Sequence, residues 1–162
     1  MITLYEKEFY TSSRKEEEKT QLLLFSVANE FYTIEPKYIR EIINLPFYTP
    51  IPNVPEHIIG VFNFRGDIIS LTDLSIFLNI STQDITNFNK IIIIENNEFS
   101  TGLLVSNIEN LITISQKNIE EEISIFNTPK TKIIYGQFHH ENKVIACLNG
   151  LTLIHETRVT ET

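Results

Sequence analysis

From Leu22 onward the chain alternates short apolar runs with polar breaks. Leu22-Leu23-Leu24-Phe25-Ser26-Val27, the break Asn29-Glu30 and Phe31-Tyr32-Thr33-Ile34 predict a β-hairpin. Glu35 and Pro36 then introduce Ile39, Ile42 and Ile43 at near-helical spacing. Proline fits the first turn of a helix, so a short helix or turn is expected over 35–41, leading into a strand. Pro46, Pro50, Pro52 and Pro55 exclude a regular helix or central strand from the next stretch and predict an ordered, extended loop.

Residues 58–74 form the most distinctive stretch, with two apolar strands joined by a tight turn at Arg65-Gly66-Asp67. Further strands are expected from Ile91 to Glu95, and from Ser100 to Val105 after a turn at Asn96-Asn97. Ile133 to Phe138 should pair with Val144 to Leu148. The unbroken run Ile91-Ile92-Ile93-Ile94 reads as a strand buried on both faces. Ile108, Leu111 and Ile112 could share one face of a short helix or an extended bend, and the polar stretch 116–131 predicts a loop with a helical turn.

The isoleucine-rich composition agrees with a sheet protein, because β-branched side chains suit the pleated strand surface. With 162 residues and 42% hydrophobic content, one compact unit can bury its own core. Residues 1–19 carry mixed charges and no apolar period, which predicts a flexible tail, with a short helix over 14–19 as the competing expectation. The same is expected of residues 156–162.

A net charge of −8 repels phosphate backbones and anionic lipid surfaces, so neither nucleic acid nor direct membrane insertion is expected. A single cysteine, Cys147, forms no intramolecular disulfide and no thiolate zinc site, which fits a reducing cytoplasm. His139 and His140 are adjacent and are expected in a loop or turn, and the same is expected of the isolated His57 and His155. No metal or cofactor is expected. The chain also lacks a Gly-x-Ser-x-Gly elbow, a phosphate-cradling glycine loop and a His-Glu-x-x-His helix, which argues against an enzyme. An acidic β-rich chain whose aromatics are not interleaved with Lys or Arg is likewise a poor oligonucleotide binder.

The ordered run Phe31-Tyr32-x-Ile34, Ile39-x-Glu41-Ile42, Pro52-x2-Pro55, Gly60-Val61-x-Asn63-x-Arg65-Gly66 and Asp73-Leu74 resembles the CheW family of chemotaxis coupling proteins. The likeness continues through Gly102-Leu103-x-Val105-x2-Ile108-x2-Leu111 to Lys143-Val144-Ile145-x2-Leu148-x-Gly150-Leu151, covering roughly residues 20–155. Four positions depart from the family's usual pattern. Phe64 replaces leucine, Ser75 stands where arginine is common, Ser70 replaces proline, and Ser106 takes the place of an acidic residue.

The resemblance implies a mainly β fold of two packed five-stranded SH3-like barrel lobes with short helices, here divided near residues 82–90. It implies a non-catalytic adaptor, monomeric outside the array, that couples chemoreceptors to a CheA-type histidine kinase. Its place would be cytoplasmic, at the membrane-associated receptor array. An array controlling pilus motility is the alternative output. On the family pattern Ile39, Glu41, Gly60 and Ile68 face the kinase's regulatory domain. Arg65, Gly102, Ile108 and Leu111 face the receptor's cytoplasmic tip.

Each assignment has a structural competitor. Gly60 and Gly66 are expected where the backbone needs positive φ or a close approach. Ile39 divides between core packing and an exposed apolar anchor. Glu41 and Arg65 are expected to form an ion pair, against the alternative of two solvated charges.

Overall fold

The structure, a computed structural model, describes residues 17–121 and 133–159. Its strands are β1 (Lys19–Val27), β2 (Glu30–Ile34), β3 (Ile39–Asn44), β4 (Ile58–Phe64), β5 (Asp67–Asp73), β6 (Lys90–Glu95), β7 (Ser100–Val105), β8 (Asn107–Ser115), β9 (Ile134–His140) and β10 (Lys143–Leu148). Two short α-helices, α1 (Leu74–Phe77) and α2 (Gly150–Thr157), follow β5 and β10. Turns of 3-10 helix occupy Pro36–Tyr38 and Gln116–Asn118. The expected hairpins at 22–34, 58–74 and 133–148 are all present, as is the proline-rich extended loop.

The strands form two five-stranded sheets in the orders β8-β1-β2-β10-β9 and β3-β6-β7-β5-β4. In each, a short bridge beyond the first strand reaches the last. Thr49 pairs with Val61 of β4, and Glu120 with Gln137 of β9, so both sheets curl toward closure. The two lobes therefore do not divide near residues 82–90. The β3–β7 lobe is inserted between the first hairpin and the last three strands of the other. Pairing registers, which depend on contacts far apart in sequence, decide this, and no local composition change marks it.

The topology contains a repeat. β1–β5 with α1 and β6–β10 with α2 follow the same path, each placing two strands in one sheet and three in the other. Positions correspond in detail. Asp73 caps α1 by accepting from the Ser75 N–H, and Asn149 caps α2 by accepting from the Thr152 N–H. The turns Arg65-Gly66 and Glu141-Asn142 both have positive φ at their two central residues, the geometry that matches the twist of tight hairpins.

Three cores follow from the alternation of side chains along the strands. Leu22, Leu24, Ile112, Phe138, Ile145 and Cys147 fill one lobe, and Phe62, Ile69, Leu71, Ile91, Ile93 and Leu104 fill the other. The third core is the seam between lobes, where Phe25, Val27, Tyr32 and Ile34 meet Ile92, Ile94, Leu103, Leu74 and the α2 residues Leu153 and Ile154. β6 is thus buried on both faces, as its four isoleucines predict: odd positions face the lobe interior and even positions face the seam.

Four other expectations are corrected. Ile108, Leu111 and Ile112 lie in β8, because pairing with β1 overrides their helix-like spacing. Lys19, assigned to the tail, pairs with Ser115 in β1, whereas residues 1–16 of that tail lie outside the described residues. Residues 156 and 157 are not tail, since α2 runs to Thr157, which is buried and donates its hydroxyl to the Leu153 carbonyl. Of the histidines expected in loops or turns, His139 and His140 are strand residues of β9 opposite Val144 and Lys143, and His155 lies in α2.

Candidate functional site

The site gathers where the open edge of β3 meets the β4–β5 hairpin. A β-bulge makes it possible. Pairing of β3 with β6 skips Arg40, between Ile39 opposite Ile94 and Glu41 opposite Ile93. On a regular strand Arg40 and Glu41 would point to opposite faces; the extra residue re-aims them so that both reach the same hairpin. An Arg40 guanidinium nitrogen donates to Asp67 Oδ2 at 3.0 Å, and Glu41 Oε1 accepts from Arg65 at 3.1 Å. A second Arg40 nitrogen lies 3.7 Å from Glu95 at the end of β6.

The turn that presents Arg65 is built for it. Arg65 and Gly66 take φ of 49° and 90°, and the Asn63 side chain accepts from the Gly66 N–H at 3.1 Å, pinning the loop. Phe64, on the last position of β4, has the Arg40 guanidinium 5.2 Å and the Arg65 guanidinium 4.8 Å from its ring centre. Beside this charged rim runs an apolar groove of about 460 Å³ lined by Pro46, Phe47, Thr49, Val61, Phe62, Asn63 and Ile68. Phe47 and Ile68 are 92% and 68% exposed, and Ile42 on β3 is also exposed. Large apolar side chains exposed together and rimmed by charges are the usual composition of a docking surface.

Gly60 supports this surface from below. A Cβ there would stand 2.6 Å from the Thr49 carbonyl oxygen and 2.9 Å from the Tyr48 ring, so a side chain would push the proline-rich loop away. Gly136 occupies the matching place in the other lobe, where a Cβ would meet Ile119 and the Glu120 carbonyl.

Among the expected kinase-facing residues, Glu41 and Ile68 lie at the surface, Gly60 is buried, and Ile39 is half-buried against the seam. The Glu41–Arg65 ion pair is present. The expected receptor-facing residues are not brought together. Arg65 belongs to the Glu41 cluster, whereas Ile108 and Leu111 lie on β8 of the other lobe. Gly102 is buried in β7, with 2.9 Å from its Cβ position to the Phe62 ring, and so contributes no surface. The sequence does not assign Arg40, Phe64 or Asp67 to a binding surface, and the aromatic beside Arg65 is the available signal. In the matching lobe, Glu109, Glu141 and Lys143 occupy the places of Arg40, Arg65 and Asp67, with the signs reversed. The two lobes therefore offer electrostatically different faces.

Among the described residues no group of three His, Cys, Asp or Glu side chains could hold a metal ion, and no helix is long and apolar enough to cross a membrane. What the arrangement offers is a shaped, mixed apolar and ionic surface on a rigid double-lobed β fold: the fold and site of a protein-binding module. The chain belongs to the family described as CheW-like domain, whose model matches residues 21–158. It is 27% identical to the chemotaxis protein CheW of Rhizobium meliloti over 79% of this chain and 82% of that one. It is 23% identical to protein PilI of Pseudomonas aeruginosa over 72% and 66% of the two chains. The scaffolding protein TtCheW from Thermoanaerobacter tengcongensis superposes with a TM-score of 0.74 at 26% identity, covering 84% of this chain and 88% of that one.

Proposed function

We propose that this protein is a non-catalytic adaptor that couples chemoreceptors to a CheA-type histidine kinase, held at the receptor array and monomeric outside it. The observation that carries the reading is the exposed Phe47–Ile68 groove bounded by the Arg40–Asp67 and Glu41–Arg65 pairs, on a chain that is CheW-like over most of its length. This face takes the regulatory domain of the kinase, with Ile68 as apolar anchor, Glu41 at the rim, and Ile39 and Gly60 holding the surface in shape. The receptor tip docks on the other lobe, at Leu111 and the half-buried Ile108 of β8. Arg65 serves the kinase face in this arrangement, and Gly102 acts through packing.

Titration calorimetry against the isolated regulatory domain of a CheA-type kinase from the same organism tests the reading. Ile68→Glu is the control of choice, because Ile39 packs against the seam and its replacement would disturb the fold. Saturable binding weakened at least tenfold by Ile68→Glu is the expected result. Absence of binding by the folded wild-type chain would refute it. The likeness to PilI favours one second reading, the same coupling role in an array that controls pilus motility. Loss of surface motility with intact swimming in a deletion strain would select it.

A further inference from the structure

We propose that Phe64 is the positioning residue of the kinase-facing surface, holding Arg40 and Arg65 in their docking geometry before the partner arrives. The inference rests on the adaptor reading and adds the determinant of its specificity. Both guanidinium groups approach the Phe64 ring, at 5.2 and 4.8 Å from its centre, within the range where a cation is attracted to an aromatic face. The ring is itself anchored, half-buried and packed against the core of its lobe. Each arginine also holds a carboxylate from a different strand, Asp67 for Arg40 and Glu41 for Arg65. One side chain therefore ties two ion pairs into a single array across β3 and the β4–β5 hairpin.

The physical need is clear for Arg65, whose side chain is 67% exposed and would otherwise sample many rotamers. Ordering such a side chain at the moment of binding opposes association; ordering it beforehand removes that cost. A leucine at this position would fill much of the same apolar space but has no π-face. In this chain the phenylalanine makes the rim rigid, and a partner fitted to that rim is favoured over one that is not.

Two measurements test this on the full-length chain. Nitrogen-15 relaxation of the Arg40 and Arg65 Nε–Hε groups, without partner, should show both more mobile in Phe64→Leu and unchanged in Phe64→Tyr. Calorimetry against the kinase regulatory domain should show affinity about tenfold lower for Phe64→Leu, with recovery to within about twofold in Phe64→Tyr. Arg65→Lys, which leaves the core intact but cannot stack as a planar fork, should weaken binding in the same direction and serves if Phe64→Leu folds poorly. Unchanged arginine mobility in Phe64→Leu, or wild-type affinity in both Phe64→Leu and Arg65→Lys, overturns the inference while leaving the adaptor reading intact. Failure of the wild-type chain to bind overturns the adaptor reading instead, and the relaxation data alone then decide whether Phe64 positions the arginines.

Discussion

Gly60 in β4 and Gly66 in the turn of the same hairpin are required for different physical reasons, and replacing each by alanine separates them. At Gly60 the added methyl would stand 2.6 Å from the Thr49 carbonyl oxygen, 2.9 Å from the Tyr48 ring and 3.0 Å from the Thr49 carbonyl carbon. Two of these are backbone atoms, which cannot rotate away. The loop must retreat, and with it go the two hydrogen bonds that close the lobe, Thr49 N–H to the Val61 carbonyl at 2.8 Å and Val61 N–H to the Thr49 carbonyl at 2.9 Å. Each is worth about 1 kcal/mol net, and forced overpacking adds about 1–3 kcal/mol, so Gly60→Ala should cost about 3–5 kcal/mol. For a chain of this size each kcal/mol lowers Tm by about 2–4 °C, giving a fall of about 6–20 °C.

At Gly66 the Cβ would meet nothing within 4 Å, and only the positive φ of 90° resists a side chain. That strain costs about 1–2 kcal/mol, so Gly66→Ala should lower Tm by about 2–8 °C. Scanning calorimetry of the two variants at one scan rate gives the comparison. A Gly60→Ala melt within about 2 °C of wild type would refute the close approach, and with it the account of how the lobe closes.

Four further expectations follow from the same geometry. Arg65→Ala removes an exposed pair worth about 0–1 kcal/mol, so its Tm should fall by less than about 4 °C while affinity for the kinase domain falls clearly; the reverse pattern would make the pair structural. Phe25→Ala empties part of the seam shared by both lobes and should cost about 3–5 kcal/mol in a single unfolding transition, whereas two separate transitions would show that the lobes fold independently. Leu111→Asp should weaken receptor binding in co-sedimentation with receptor-containing membranes without altering calorimetric binding to the kinase domain; joint loss would show that the two faces are not separate. Burial raises the Cys147 thiol above its ordinary range, so the folded chain holds that proton longer than the unfolded one. The stabilisation is then complete below the ordinary thiol pKa of about 8.5 and is lost as pH rises through the higher folded value. Melts should weaken in the alkaline range, less steeply for Cys147→Val, and identical slopes would exclude the thiol as a cause.

Most strands were legible because their information is local. A run such as Leu22–Val27 bounded by Ala28-Asn29, or Ile58–Phe64 bounded by Arg65-Gly66, carries its own start, period and stop. The motif Gly60 to Leu74 and its family likeness were visible for the same reason. The pairing of Glu41 with Arg65 could be expected because both are motif positions. The bulge at Arg40 could not, since it depends on how β3 meets β6, and without it the Arg40–Asp67 pair has no reason to exist.

Ile108 and Leu111 mark the limit of local reading. Their spacing suits a helix face, yet helix propensities differ by less than about 1 kcal/mol per residue, and eight paired positions with β1 outweigh them. The repeat was equally hidden. Gly60-x-Phe62 and Gly136-x-Phe138 share a pattern, but the residues around them have diverged, and only superposed strand paths make the correspondence plain.

The amino-acid sequence by itself determined the β character, the tight hairpins, the doubly buried isoleucine strand and the family, because period, turn chemistry and motif spacing act over a few residues. Tertiary structure alone decided that one lobe is threaded inside the other, that Gly102 is packing and not surface, and that Arg40 of β3 reaches the Phe64 ring beside Arg65. Each of those depends on which distant segments pair and in what register, and that choice is made by burying three cores at once.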